Sequence, residues 1–207
     1  PSFLGNALAG GLSMAAMFAY VSGSSFVLQG IYGMSPQTYG VAFAMNAIGL
    51  VAAGQINARL VGRVANEVQL LTVALVSASV AGSVLVAAAI MELPLPFLLG
   101  PLFLMIASLG FVLPNTTMLA LADHREVSGS ASALLGVGQF VIGALAAPLV
   151  GLGGVESAVP MTVVMFGVVL ASTVVFLTLG RRGVRAAARV VTHGNSDRTH
   201  MSAEHAG

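Results

Sequence analysis

Six long apolar stretches follow one another along this chain, and they constrain its fold more than any other feature. They are separated by short polar or proline- and glycine-rich breaks, and they cover residues 7–28, 36–61, 68–91, 96–122, 128–152 and 157–179. A bilayer core about 30 Å thick needs roughly 20 apolar residues in a helix, whereas a barrel strand has only about 10. A helix also satisfies its own backbone polar groups in lipid. The sequence therefore predicts an all-α membrane protein with six transmembrane helices.

The composition excludes an ordinary soluble domain. The 207 residues are 57% hydrophobic and only 7% charged, whereas a soluble globular protein carries about 25% charged residues. The chain has no cysteine, which excludes a disulfide, a thiolate nucleophile and a cysteine-ligated metal site. Residues 1–10 begin with Pro1 and lack the basic flank of a signal peptide, so we expect further sequence upstream.

The arginines predict the orientation in the membrane. If six helices alternate, Arg59 and Arg63 after the second helix, Arg125 after the fourth and the five arginines after the sixth all fall on one side. Cytoplasmic loops carry the excess of arginine and lysine. We therefore expect both ends of the chain in the cytoplasm, with a membrane domain over residues 1–180 and a basic, disordered tail over residues 181–207.

No ionisable residue lies near the middle of any predicted helix, and this limits the chemistry. Proton relays and membrane-embedded enzymes need such groups at depth. The sequence therefore predicts no catalytic site, no cofactor and no metal. A metal site built on the histidines of the tail is disfavoured because no structured set of ligands surrounds them.

Neutral polar residues do occur at depth, and they recur at the spacing of one helix face. Helix packing is one explanation, because small and amide residues join membrane helices. A primary amide has four hydrogen-bonding positions, however, and one neighbouring helix rarely fills them all, so a wet cavity is the other explanation. The predicted cavity residues are Tyr20, Ser24, Phe43, Asn46, Phe111, Asn115 and Gln139.

Two prolines lie inside predicted helices, Pro114 in the fourth and Pro148 in the fifth. Each frees a backbone carbonyl and bends its helix. Interrupted helices are typical of transport pathways, although static bundles contain them too.

Several segments have a characteristic order and spacing: residues 18–27, 39–47, 57–59, 114–115, 129–136 and 139–151. Together they resemble the bicyclomycin-resistance (Bcr/CflA) group of drug:proton antiporters in the major facilitator superfamily. The turn at residues 54–63 resembles the superfamily's Gly…Asp-Arg…Gly-Arg loop, with Ala58 where the Asp usually stands. The likeness fits the C-terminal half of such a transporter, its spans seven to twelve.

The resemblance implies a fold and a function. The fold would be a six-helix half built from two inverted three-helix repeats, which rocks against an N-terminal six-helix half. The function would be proton-coupled efflux of small, mostly apolar compounds across a bacterial cytoplasmic membrane, with the titrating carboxylate in the other half. The partners would be substrate, protons and membrane lipid, but no nucleic acid. Four residues would close the cytoplasmic side: Arg59, Arg63, Asp123 and Arg125.

Other functions remain open at the level of sequence. The same scaffold could carry a sugar or metabolite, because a fold does not fix a substrate. A membrane scaffold without transport activity is a second alternative, and a membrane enzyme is disfavoured by the lack of ionisable groups at depth. A homodimer of such halves is an alternative to pairing with a separate N-terminal half.

Overall fold

The structure is a computed structural model, and it describes residues 2–122, 128–154 and 157–180. The described residues form six helices: α1 (Ser2–Ser25), α2 (Pro36–Leu60), α3 (Glu67–Ile90), α4 (Leu95–Leu121), α5 (Ser128–Leu152) and α6 (Val159–Val175). π-helical turns continue α1 through Phe26–Ile31 and α6 through Phe176–Gly180. All six helices are long and apolar enough to cross a membrane, so the predicted fold class is confirmed.

Proline and side-chain caps determine where the helices begin. α2, α4 and α6 each carry proline in their first turn, where a missing N–H costs nothing. The Ser35 hydroxyl accepts from the Thr38 backbone N–H at 3.2 Å and so caps α2. Asn66 and Gln69 form a reciprocal capping box at the start of α3, with distances of 2.9 and 3.2 Å.

The bundle has two ends, which differ in chemistry. α2, α4 and α6 begin at one end with their prolines, and we call it the proline end. The other end contains the α2–α3 turn with Arg59 and Arg63, and we call it the arginine end. The proline end is tied together by Tyr32, whose hydroxyl donates to the Leu93 carbonyl at 3.1 Å. Burial, and next the Glu92 carboxylate, raises the pKa of Tyr32, so the hydroxyl stays protonated.

The helix packing repeats within the chain. α1 and α4 contact each other at the centre. α1 also packs on α5 and α6, α4 packs on α2 and α3, and α3 contacts α6. These principal contacts are unchanged when α1, α2 and α3 are exchanged for α4, α5 and α6, although α5 contacts α4 and α6 more closely than α2 contacts α1 and α3. Because three spans reverse the direction of the chain, the second repeat is inverted relative to the first.

The core lies where α1 and α4 meet α3 and α6, and it includes Leu85, Leu102, Met105 and Met165. By contrast, only 17% of the most apolar 18-residue stretch of α2 and of α5 is buried within the bundle, against 56% of the corresponding stretch of α1. The outer surfaces of α2 and α5 therefore need lipid or another apolar protein surface.

Candidate functional site

A polar and aromatic cluster joins α1 to α2 in the half of the bundle nearer the proline end. The Asn46 Nδ2 donates to the Tyr20 hydroxyl at 3.0 Å, and the Tyr20 ring stacks on Phe43 with ring centroids 5.4 Å apart. The Ser24 and Tyr39 hydroxyls are hydrogen-bonded at 3.0 Å. Four of the predicted cavity residues, Tyr20, Ser24, Phe43 and Asn46, thus lie together. We call them, with Tyr39, the α1–α2 cluster.

A second polar contact joins α2 to α4 nearer the arginine end. The Asn115 Nδ2 donates to Asn57 Oδ1 at 2.7 Å and to the Phe111 carbonyl oxygen at 2.8 Å. A backbone carbonyl can only accept, so this contact fixes which side of the Asn115 amide carries the nitrogen. The Asn115 Oδ1 therefore points away from both partners.

Gln139 reaches the junction of α1, α4 and α5. A Cβ atom at Gly10 of α1 would lie 2.8 Å from Gln139 Nε2 and 3.0 Å from Thr116 Oγ1. Glycine at position 10 therefore makes room for the Gln139 amide beside Thr116. The Gln139 amide thus lies next to Thr116 of α4, which follows Asn115 in the chain.

Three amide atoms at these positions are buried without a hydrogen-bond partner among the described residues: Asn46 Oδ1, Asn115 Oδ1 and Gln139 Nε2. The whole Asn115 residue is fully buried, and Asn46 is 4% exposed. A buried polar group without a partner costs about 1–3 kcal/mol, and in hydrocarbon there is no bulk water to relieve it. Such atoms call for water, a ligand or a second arrangement of the helices.

The remaining predicted residues are Phe111, whose carbonyl oxygen accepts from the Asn115 amide but whose side chain lies elsewhere, and the two prolines. Phe111 lines an apolar groove of about 360 Å³ between α2, α3 and α4, with Ser77 and Ser108 on its walls. α4 and α5 continue as helices through Pro114 and Pro148, and both prolines are exposed. The bends expected at these prolines stay predictions.

The predicted cytoplasmic residues are only partly described. Arg59 and Arg63 are exposed at the arginine end. Asp123 and Arg125 lie outside the described residues, as does the tail at residues 181–207.

Sequence reasoning missed part of this arrangement. Tyr39 and Asn57 share the polar face of α2 but were not predicted as site residues, and Thr116 and Gly10 gave no signal as single residues. Their roles come from helix pairing, which a single-helix pattern does not contain. Only the regular spacing along α2 pointed to the first two.

Among the described residues, the interiors of the helices offer amides, hydroxyls and aromatic rings, without an ionisable acid or base. Such a surface binds neutral hydrogen-bonding groups and apolar molecules. The arrangement suits the binding and release of a small molecule.

Comparison with known proteins gives two related transporters. The chain is 36% identical over 183 residues to an uncharacterized MFS-type transporter, YdgK, of Bacillus subtilis (strain 168), covering 88% of this chain and 45% of that protein. It is 29% identical over 184 residues to a bicyclomycin resistance protein homolog of Haemophilus influenzae, covering 88% of this chain and 46% of that protein. The chain thus spans about half the length of the curated relatives it matches. No protein-family model and no solved structure matches it.

Proposed function

Because this chain belongs to the major facilitator superfamily, we propose that it forms the C-terminal half of a proton-coupled efflux transporter for small, mostly apolar compounds. The observation that supports this most directly is the set of buried amides with unpartnered atoms inside the bundle. A static bundle gains nothing from such atoms, whereas a transporter uses them on substrate or water during part of its cycle.

The α1–α2 cluster would provide a surface for a neutral, partly aromatic substrate when α1 and α2 separate, since Tyr20, Ser24 and Asn46 are buried in the arrangement described. Tyr20 and Phe43 offer stacked rings, and Asn46 offers a carbonyl oxygen. Stacking and apolar contact would bind the body of the substrate. Asn115 and Gln139 would bind its polar groups or the waters around them.

Proton coupling would come from outside the described helices. Their interiors hold no carboxylate, so the titrating group would belong to an N-terminal six-helix half. That half would cover the exposed sides of α2 and α5 and complete the cavity, as the relatives of about twice this length suggest.

Arginines at one end suggest the orientation in a bacterial cytoplasmic membrane. Arg59 and Arg63 would face the cytoplasm, in accordance with the excess of positive charge there. With Asp123 and Arg125 they would make the polar contacts that close the cytoplasmic side. The arginine end is then the cytoplasmic end.

Transport by amide-to-leucine variants tests the proposal. Asn115→Leu and Gln139→Leu would each lower the proton-driven efflux of a lipophilic fluorescent dye by about fivefold or more, at unchanged expression, because a lost hydrogen bond of about 1 kcal/mol changes an equilibrium by that factor. Ser83→Leu is the matched control, since Ser83 is exposed on α3, away from the buried amides and from the sides of α2 and α5 that the other half would cover. Unchanged efflux in both variants would remove the site assignment.

A further inference from the structure

The apolar groove between α2, α3 and α4 lies in the half of the bundle nearer the arginine end. Both α2 and α3 pack on α4, and the groove of about 360 Å³ is lined by Leu60 of α2, Leu70 and Val73 of α3 and Leu104 of α4. Val73 is 68% exposed and Leu104 is 49% exposed. In a membrane, an open apolar hollow of this kind is filled by hydrocarbon or by another apolar protein surface.

The polar side chains on the walls of the groove already have partners. The Ser108 hydroxyl donates to the Leu104 carbonyl oxygen at 2.7 Å and, at a longer distance of 3.4 Å, to the Ser77 hydroxyl. At the mouth of the groove, Gln69 Oε1 accepts from the Asn66 backbone N–H at 3.2 Å. The groove therefore favours a hydrocarbon chain over a polar ligand.

The groove has the depth of one leaflet of a bilayer. Its wall on α3 reaches from the start of that helix to Ser77, and ten residues of helix measure about 15 Å. The hydrocarbon core of a bilayer is about 30 Å thick, so that one leaflet contributes about half of it. The groove thus extends from the membrane boundary, where α2 ends and α3 begins, to near the midplane.

At its mouth the groove joins an open pocket that carries both signs of charge. The pocket has a volume of about 300 Å³, and Ala65 and Gln69 line both the pocket and the groove. Arg63 and Glu67 also line the pocket, and their side chains form no ion pair with each other within the described residues. A cation and an anion thus stand in one pocket, where the apolar groove gives way to water.

The α2–α3 turn holds the backbone of this pocket in place. Gly62 has a φ of +74°, which glycine adopts without strain, and its N–H donates to the Ala65 carbonyl oxygen at 3.1 Å. The Arg63 N–H donates to the Leu60 carbonyl oxygen at 3.2 Å. Because the turn is closed by its own backbone hydrogen bonds, less of it has to be ordered when a ligand binds.

We infer that the groove and the pocket together bind one molecule of an aminophospholipid, phosphatidylethanolamine, from the leaflet at the arginine end. One acyl chain lies in the groove. The lipid phosphate accepts hydrogen bonds from the Arg63 guanidinium, and the primary ammonium donates to the Glu67 carboxylate. A zwitterionic headgroup matches both charges, whereas an anionic headgroup without an amine meets like charge at Glu67. The inference goes beyond the proposed function and gives Arg63 a second partner.

Native mass spectrometry tests the inference without a transport measurement. The protein is expressed from its gene, delipidated, and titrated in detergent with phosphatidylethanolamine or with phosphatidylglycerol of the same acyl chains. We expect one molecule of phosphatidylethanolamine to bind about fivefold more tightly than phosphatidylglycerol, the factor for one charge near a membrane surface. Equal binding of the two lipids, or tighter binding of phosphatidylglycerol, would overturn the inference.

Variants of the two charges should separate the two lipids. Glu67→Gln should weaken the binding of phosphatidylethanolamine by about threefold to tenfold and strengthen that of phosphatidylglycerol, because it removes an attraction for the amine and a repulsion for the anion. Arg63→Gln should weaken both, since both lipids carry a phosphate. Arg59→Gln is the matched control, because Arg59 is exposed at the same end but does not line the pocket. It should leave the preference between the lipids unchanged.

A photoactivatable lipid locates the acyl chain. Phosphatidylethanolamine with a diazirine in one acyl chain should cross-link to peptides that contain Val73 or Leu104. Ala107→Leu adds volume inside the groove and should lower this cross-linking at least threefold, and thermal unfolding shows whether that variant is folded. Cross-linking confined to other peptides would mean that another protein surface covers the groove, and the inference would be wrong.

The charge variants decide the headgroup independently of the groove variant. Arg63 is exposed and Glu67 is half-buried at the membrane boundary, so neither substitution alters the core. If Glu67→Gln lowers thermal stability but changes the binding of neither lipid, the carboxylate serves only the N-terminus of α3. That result would exclude an aminophospholipid at this pocket.

Discussion

At the scale of single residues, the buried amides are the feature that packing alone does not explain. The Asn115 amide nitrogen donates to Asn57 Oδ1 and to the Phe111 carbonyl oxygen. The Asn115 amide oxygen, however, is buried without a donor among the described residues. Leucine would fill the same buried space without an unpartnered oxygen, although it would leave Asn57 Oδ1 without its donor. An unpartnered amide oxygen at this position fits a group that is used in a state other than the one described.

The Tyr20–Asn46 bond gives a prediction for stability. Tyr20→Phe keeps the stacking on Phe43 but removes the only acceptor that Asn46 Nδ2 has among the described side chains. We expect the variant to lose about 0.6–1.7 kcal/mol of unfolding free energy, the range measured for hydrogen bonds between membrane helices. Unfolding in mixed micelles measures the loss. Tyr20→Leu should cost more because the ring contact is lost as well, and equal stability of Tyr20→Phe and the natural protein would contradict the assignment.

The sequence predicts which polar residues are turned inward, but not which residues they meet. Helical spacing identified Tyr20, Asn46, Asn115 and Gln139, because each lies on a stripe along its own helix. The pairing of Asn115 with Asn57, and the space that Gly10 leaves for Gln139, depend on how separate helices cross. Spacing within one helix carries no information about that crossing.

At the scale of elements, the six predicted spans correspond to the six helices, and α5 begins and ends where the sequence predicts. α1 is the largest departure, since it begins at Ser2 and continues in π-helical turns to Ile31. The sequence gives no capping signal at either end of this helix, so apolarity alone placed its limits. The capping box of Asn66 and Gln69 also escaped prediction, and it marks the true start of α3.

The Asn66 cap gives a prediction about the α2–α3 turn. Asn66→Ala removes the acceptor for the Gln69 backbone N–H, and we expect a loss of about 0.5–2 kcal/mol of stability. Asn66→Asp is the control, because aspartate keeps the acceptor. Thermal unfolding in detergent compares the three proteins, and an Asn66→Ala variant as stable as the Asp variant would show that the cap contributes nothing.

The crossing of α2 and α4 depends on one glycine. A Cβ atom at Gly110 would overlap the Leu50 carbonyl oxygen and lie 2.9 Å from Ala53 Cβ. Because one of these neighbours is backbone, the helices would have to separate. We expect Gly110→Ala to destabilise the protein by about 1–3 kcal/mol. We also expect it to weaken the hydrogen bond between Asn57 and Asn115, which lies nearer the arginine end.

A matched control exists in the same helix. Gly100 has open space around its Cβ position, so Gly100→Ala should be neutral or slightly stabilising, by up to about 1 kcal/mol. Thermal unfolding midpoints measure both. If the two alanine variants behave alike, the close approach of α2 and α4 is not what Gly110 provides.

At the scale of the whole molecule, α3 and α6 lie on one side of the central helices and the buried amides lie on another. α3 and α6 pack behind the central helices α1 and α4, while α2 and α5 lie at the flanks. The amides lie between the central and flanking helices, away from the outer surface of α3. The six spanning helices follow from the lengths of the apolar stretches, whereas the two inverted repeats were implied only by the family resemblance. The position of the site needed the packing of all six helices.

One labelling experiment tests the central claim, that these helices cross a bilayer with their amides turned toward a water-accessible path. Gln139→Cys and Val80→Cys are each made in the protein expressed from its gene and treated in intact membranes with a water-soluble maleimide, with labelled peptides identified by mass spectrometry. Val80 is 57% exposed on α3, whereas Gln139 is half-buried. The account predicts labelling at position 139 and none at position 80, because acyl chains cover Val80 and keep a thiol there protonated. Labelling at position 80 with none at position 139 would contradict it.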